Sequence, residues 1–330
     1  MAPSILILAE HEDGKLKDQN LELIRLAHDI ADSADFAGGN DAIAAIVFGS
    51  GDDGVADALA AHGVGEVIYV DDETVANYSN DAWGRCLSTL IEELSPDVVL
   101  IANSPNGWDV APVVAARAGV VVASGCSSIR REDDAWLCTR KAFNGKFVHE
   151  VKVRAKPLVA TVDRGAAAAY EGTSEPKVTR RQAGLDADSV RSRFVELKRG
   201  ESSDLDLTGA NVIVAAGRGV GEADKLDVVQ QLTRALGAQL GASRAVTDAG
   251  WLPHEHQIGS SGVTVSPKLY VAVGISGAIQ HVVGMKSSGY IIAINKDPDA
   301  PIFGIANLGV VGDLFEIVPA LTKAVADAKA

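Results

Sequence analysis

The sequence predicts an α/β protein of two domains, an N-terminal, mostly parallel α/β sheet domain and a C-terminal doubly wound α/β domain. Three observations carry this. Short apolar runs alternate with helical patterns along most of the chain, as in strand–helix–strand units with parallel strands. The runs are near-continuous rather than alternating, as in strands buried on both faces. A chain of 330 residues with 47% hydrophobic content is also comfortable for two cores and long for one.

In chain order, Ser4–Ala9, Ala42–Phe48, Glu66–Val70, Asp97–Ala102 and Gly119–Ala123 read as buried strands. Between them, Asn20–Ala31, Gly54–His62, Tyr78–Leu94 and Trp108–Ala118 read as helices. Trp136–Val153 and Leu158–Val162 read as extended, with a hairpin turn at Asn144-Gly145, so antiparallel strands are expected late in the first domain. The stretch 166–208 differs in character, and its Arg180-Arg181 pair reads as a solvated face. Glu201-Ser202-Ser203-Asp204 is polar and without period, which places a linker at 199–207 between domains at 1–198 and 208–330. The second domain opens with a strand at Asn211–Ala216, the turn Gly217-Arg218-Gly219-Val220-Gly221 and a helix at Glu222–Leu236. Leu240–Arg244, Tyr270–Ile275 and Tyr290–Asn295 follow as strands, and Asp313–Ala328 as a closing amphipathic helix.

The net charge of −14 argues against nucleic acid and anionic membrane as partners. No uncharged apolar run reaches the roughly 18 residues of a membrane helix, so no direct membrane insertion is expected. Cys86, Cys126 and Cys138 are odd in number, with no CxxC pair, so neither a disulfide framework nor a zinc site is indicated. That fits a reducing compartment, and the chain enters a strand at once without a basic leader; the expected location is cytoplasmic. His254-Glu255-His256 has i, i+2 spacing without further ligands, so no metal is expected there. Ala9-Glu10-His11 after the first strand reads as structural or interfacial.

The most informative stretch is Leu269–Asn295, two apolar strands around a polar turn and a short helix. Such a turn suits the phosphates of a nucleotide cofactor. Ser276 is placed to cap the helix, and Gly277 lets a ligand approach the backbone. Gly217–Gly221 lacks the full dinucleotide fingerprint, and by spacing alone it reads equally as a tight strand–helix turn. Its Arg218 suits a pyrophosphate or adenosine phosphate. Ser243 and Arg244 end their strand, at the carboxyl edge where such cofactors sit. Taken alone, Arg244 reads as a surface ion-pair residue and His281 as a packed helical histidine.

The pattern L-Y-x-A-x-G-I-S-G-A-I-Q-H-x-x-G-M at Leu269–Met285, followed by A-I-N-K-D-x-x-A-P-I-F at Ala293–Phe303, resembles the large (alpha) subunit of electron-transfer flavoproteins. The resemblance covers essentially the whole chain and is densest over residues 208–320. It implies an FAD held by the C-terminal domain and contacted by Arg218, Ser243, Arg244, Ile258, Gly259, Ser260, Ser261, Ser276, Gly277, Ala278, Ile279, Gln280, His281, Asn295, Asp313 and Leu314. Within that set the resemblance implies that Ser261 would face the flavin N5 edge, His281 would donate to the flavin C2 carbonyl, Arg244 would stabilise charge on the reduced ring, and Asn295, Asp313 and Leu314 would hold the adenosine. Relatives more often carry Gln-Thr at Ser260-Ser261; Ser261 keeps the hydroxyl, while Ser260 loses the longer amide arm.

The resemblance further implies a smaller (beta) partner subunit and electron carriage without substrate turnover. Electrons would come from acyl-CoA or other flavin dehydrogenases and pass to a membrane quinone oxidoreductase. Some relatives instead bifurcate electrons, a choice that lies in the partner's sequence. A nicotinamide- or nucleotide-dependent enzyme on the same sheets is the rival. It needs the full phosphate fingerprint and an acidic residue about 20 positions on, and Asp248 lies beyond another helix and strand.

Overall fold

The computed structural model describes residues 3–34, 36, 38–51, 54–60, 62–143, 147–192, 194–196 and 205–329. The chain divides into two compact units, Met1–Leu197 and Lys198–Ala330.

In the first unit the strands of the main sheet are β1 (Ile5–Ala9), β2 (Ile43–Gly49), β3 (Glu66–Asp71), β4 (Val98–Ala102), β5 (Val122–Glu132), β6 (Ala135–Ala142), β7 (Phe147–Val153), β8 (Leu158–Val162) and β9 (Lys177–Arg181), beside a two-stranded ribbon of His11–Glu12 and Lys15–Leu16. They form a nine-stranded sheet in the order β9-β3-β2-β1-β4-β8-β5-β6-β7. Every residue of β1, β2, β4 and β8 is buried, which is why these segments read as unbroken apolar runs. Alternate side chains feed two cores: Ile5 and Ile7 pack toward α1 (Gln19–Ser33), Leu6 and Leu8 toward α3 (Asn80–Leu94) and α4 (Pro105–Arg117), and α2 is Val55–Ala60.

The β6–β7 hairpin is antiparallel, as expected, and β5, read as one of the buried strands of the parallel sheet, also pairs antiparallel with β6. Leu158–Val162 departs from the expectation: β8 runs parallel to both β4 and β5 and lies between them. The strand expected at Gly119–Ala123 starts at Val122 and runs to Glu132. Arg180 and Arg181 belong to a strand, β9, whose parallel pairing with β3 the sequence reading missed. The turn at Asn144-Gly145 lies outside the described residues.

The second unit holds β10 (Val212–Ala216), β11 (Gln239–Ala242), β12 (Leu269–Val273), β13 (Tyr290–Asn295) and β14 (Leu308–Val311), all parallel, in the order β11-β10-β12-β13-β14. Its helices are α5 (Asp227–Leu236), α6 (Arg244–Asp248), α7 (Ile279–Val283) and α8 (Leu314–Lys329). One face of the sheet packs on α5 and α8 through Val229, Leu232 and Val318. The other face is covered by short pieces that carry Ile258, Val265, Met285 and Ile302. The helix expected from Glu222 divides into a 3-10 turn at Ala223–Leu226 and α5. Of the expected linker, 199–204 lie outside the described residues, and Leu207 is buried in the core of the second unit.

Candidate functional site

The second sheet reads, in chain order, 2-1-3-4-5. The connection reverses between β10 and β12, and a crevice opens at their carboxyl ends. Two glycine-bearing turns meet there. Gly217 N–H donates to the Val273 carbonyl at 2.8 Å and Gly219 N–H to the Gly274 carbonyl at 2.9 Å. A Cβ on Gly217 would stand 2.2 Å from the Gly274 oxygen, so this approach of two backbones requires glycine.

Each sequence-predicted residue lies on a segment that leaves this carboxyl edge or covers it. Arg218 follows β10; its side chain is exposed and has no hydrogen-bond or ion-pair partner among the described residues. Ser243 and Arg244 do not end a strand: β11 stops at Ala242, Ser243 takes the N-cap position of α6, and Arg244 is the first residue of that helix. Ser243 makes no side-chain capping bond, and its hydroxyl has no partner among the described residues. Arg244 pairs through Nε with Asp248 Oδ2 at 3.1 Å, with both side chains more than 60% exposed. An exposed i, i+4 pair is worth about 0.3–0.5 kcal/mol, so a buried or charged ligand can take the guanidinium from it at little cost.

The predicted capping role of Ser276 is not realised. The N-cap of α7 is Ala278, and Ser276 is exposed and contributes its carbonyl to Ile302 N–H at 3.0 Å. The cause is Gly277: at φ +90° it turns the chain before the helix begins, and Ile302 lies where a Cβ would be. The result offers more to a ligand than a cap would. The backbone N–H groups of Ser276, Gly277 and Ala278 have no acceptor among the described residues, and neither does the Ser276 hydroxyl. Ala278, Ile279 and Gln280 are exposed beside them.

Asn295 ends β13 and anchors both neighbouring turns. Its Nδ2 donates to the Ile275 carbonyl at 2.8 Å, its Oδ1 accepts from Asp297 N–H at 3.1 Å, and its carbonyl accepts from Gly312 N–H at 3.0 Å. Asp313 then caps α8, accepting Phe315 N–H at 2.9 Å, with Leu314 buried below. The second carboxylate oxygen of Asp313 has no partner among the described residues.

The loop Gln257–Gly262 is tied to α7: Ser260 N–H donates to the Gln280 carbonyl at 2.7 Å. Ile258 and Gly259 are buried, Ser260 and Ser261 exposed. His281, expected as a donor to the flavin C2 carbonyl, points into the core and is 5% exposed. Its Nδ1 lies 3.0 Å from the Ile258 carbonyl, which can only accept, so the proton sits on Nδ1. Nε2, 2.9 Å from Tyr270 Oη, therefore accepts the phenol proton. Burial lowers the His281 pKa to about 4, so the ring is neutral. In this arrangement His281 has no N–H left for an outside acceptor; what it does is hold the Ile258-Gly259 backbone.

Sequence reasoning missed Gln257 and Tyr270, the inner partners of this loop; their signal was only their place beside marked residues. Among the described residues no group of three or more His, Cys, Asp or Glu could hold a metal ion, and His256 donates through Nδ1 to the Leu240 carbonyl at 2.7 Å. Glu10 is buried, accepts the Ser104 hydroxyl and pairs with Lys17 at 3.4 Å, and its backbone is clasped by Asn20.

Unpaired backbone donors, two exposed guanidinium groups, free hydroxyls and a glycine crevice on the carboxyl edge of an open parallel sheet define a binder of a phosphate-bearing cofactor. Comparison with known proteins makes this specific. The model of the electron transfer flavoprotein domain matches residues 5–186, and that of the electron transfer flavoprotein FAD-binding domain matches 206–286. The chain is 36% identical to the electron transfer flavoprotein subunit alpha of Thermoanaerobacterium thermosaccharolyticum, over 97% of this chain and 96% of that one. It is 37% identical to the alpha subunit of Methylophilus methylotrophus (95% and 96%) and 35% identical to that of Mycobacterium leprae (97% of each). The chain belongs to the electron transfer flavoprotein alpha-subunit family, and its cofactor is FAD. The donor set of the carboxyl edge fits that group: cations and N–H groups for its phosphates, hydroxyls and an open carboxylate for its sugars and ring edges.

Proposed function

We propose that this chain is the FAD-holding subunit of a cytoplasmic, two-subunit electron carrier without substrate turnover of its own. In this reading it pairs with a smaller beta subunit, receives electrons from acyl-CoA or other flavin dehydrogenases and delivers them to a quinone oxidoreductase at the membrane. The observation that carries it is the row of protein-unpaired donors at Ser276–Ala278, within a chain of this family.

When bound, FAD supplies a ring that takes up and gives back electrons singly or in pairs. The chain's residues divide the work of holding it. Arg218 and the Ser276–Gln280 segment offer positive charge and N–H donors to its phosphates. Asn295, Asp313 and Leu314 offer an acceptor-lined, partly apolar edge to its adenosine. Ser243, Arg244, Ile258, Gly259, Ser260 and Ser261 line the ring's surroundings, with Arg244 as the cation that favours charge on the reduced ring. His281 acts from behind, keeping the Ile258-Gly259 turn in place. Donors fixed by the fold do not reorganise when charge arrives, so electron transfer meets a low barrier.

The test is spectroscopic. Purified with its smaller subunit, the protein should be yellow and should bleach when an acyl-CoA dehydrogenase and its substrate are added. A colourless complex defeats the cofactor assignment. Bleaching by NADH alone favours the bifurcating relatives over a simple carrier.

A further inference from the structure

Gln257 is not among the residues that the family resemblance assigns to the cofactor, yet the segments of Arg244 and Ser261 are built around it. It is 2% exposed. Its side-chain Oε1 accepts from the Thr247 hydroxyl at 2.7 Å, and its Nε2 donates to the Ser261 carbonyl and to Ser261 Oγ, both at 3.0 Å. Its own carbonyl accepts Val263 N–H at 2.7 Å. Chemistry fixes the orientation of the amide: the Ser261 carbonyl can only accept, so the nitrogen must face it.

Two consequences follow. Nε2 is directed at Ser261, whose carbonyl and Oγ both accept from it. The hydroxyl's own hydrogen then has no acceptor among the described residues, and Ser261 is exposed, so that hydrogen is available to a ligand. Thr247, at the other end of the amide, lies on α6 within one turn of Arg244, and its hydroxyl is also 3.0 Å from the Arg244 carbonyl. One buried amide therefore joins the helix that starts with Arg244 to the loop that carries Ser261. Arg244, Thr247, Gln257 and Ser261 line one cavity of about 320 Å³.

We propose that Gln257 is a positioning residue for the flavin ring: it fixes Ser261 as an outward hydrogen-bond donor and sets its spacing from the helix of Arg244. The proposal rests on the FAD reading above. A ligand edge that meets both groups would feel any loosening of this clamp, although Gln257 itself stays out of reach.

The experiment uses the complex with the smaller subunit and the variants Gln257→Met, Ser261→Ala and the two combined. Methionine keeps the length and apolar stem and removes all three side-chain hydrogen bonds. In spectroelectrochemical titration, Gln257→Met should retain FAD and move the flavin potential in the same direction as Ser261→Ala, and the double variant should move it no further than the larger single shift. Independently of the flavin, amide exchange at Gly262 and Val263 in the apo-complex should rise about tenfold in Gln257→Met. Thr247→Val, which frees only the helix end of the clamp, provides the second route if Gln257→Met does not fold; it should shift the potential less and in the same direction. A flavin-replete Gln257→Met or Thr247→Val with the wild-type potential overturns the proposal and leaves the FAD reading intact, as do shifts that add in the double variant. A wild-type complex without flavin overturns the FAD reading and the proposal together.

Discussion

At the scale of single residues, burial decides the chemistry of His281. The ring has a pKa of about 4, below its ordinary value near 6.5, because the apolar interior penalises the charged form. Above pH 6.5 the group is neutral in folded and unfolded chains alike. Below it the unfolded chain takes up a proton that the folded chain refuses, so stability is lost as pH falls from about 6.5 to about 4. A depression of that size corresponds to about 3 kcal/mol over the interval. His281→Gln, which does not titrate there, should lose that much less stability between pH 7 and pH 4 than the wild type in denaturant titrations. Equal losses would mean that the ring is not held neutral. Arg218 is the opposite case, an exposed cation with no hydrogen-bond or ion-pair partner among the described residues. Arg218→Ala should leave folding within about 0.5 kcal/mol of the wild type. If it binds a phosphate it should weaken FAD by about 1.5–3 kcal/mol, the worth of a charge-assisted hydrogen bond, as read by flavin-release titration. The chemical types of these residues were legible in the sequence. Their partners were not: Tyr270 and Ile258 meet His281 only because the loop 257–262 folds over the sheet.

At the scale of elements, the turn before α7 shows where reading by pattern stops. Serine ahead of a short helix is a good cap in the abstract, but Gly277 diverts the chain and leaves Ser276 free for a ligand. The turn depends on glycine twice over. Its φ of +90° is costly for other residues, and a Cβ would come within 2.3 Å of the Ile302 backbone nitrogen, which cannot swing away like a side-chain tip. Gly277→Ala should therefore destabilise by about 1–3 kcal/mol and weaken FAD, since the donors at Ser276–Ala278 move with it. Gly304→Ala, where a Cβ meets nothing within 4 Å, is the control and should be near neutral in both respects. Matching losses in the two variants would show that the turn is not specifically demanding. Edge strands escaped for a different reason. Lys177–Arg181 pairs on one side and keeps charged side chains outward, so it carries no apolar signature. Leu158–Val162 announced itself as a strand, but its insertion between β4 and β5 is a long-range pairing that local pattern cannot encode.

At the scale of the whole molecule, the division into two α/β units and the buried parallel strands followed from composition and period, because central strands show their burial as unbroken apolar runs. The chain's surface makes a further demand. Strand β7 exposes Phe147 at 58%, Val148 at 66% and Val151 at 40%, and Phe143 beside it is 71% exposed. An uncovered strand at the end of a sheet, with large apolar side chains, invites pairing with whatever edge it meets. A net charge of −14 keeps copies apart in dilute, low-salt solution, but screening beyond about 8 Å at physiological ionic strength weakens that protection. The chain expressed alone should therefore self-associate as salt and concentration rise. Co-expressed with the smaller subunit, it should elute as a single one-to-one complex with one FAD per pair, its size insensitive to salt. Light scattering coupled to size exclusion, with flavin absorbance read on the same peak, measures mass and cofactor together. A monodisperse, FAD-replete monomer of this chain alone, unchanged by salt, would falsify the assembly and show that the exposed edge needs no cover.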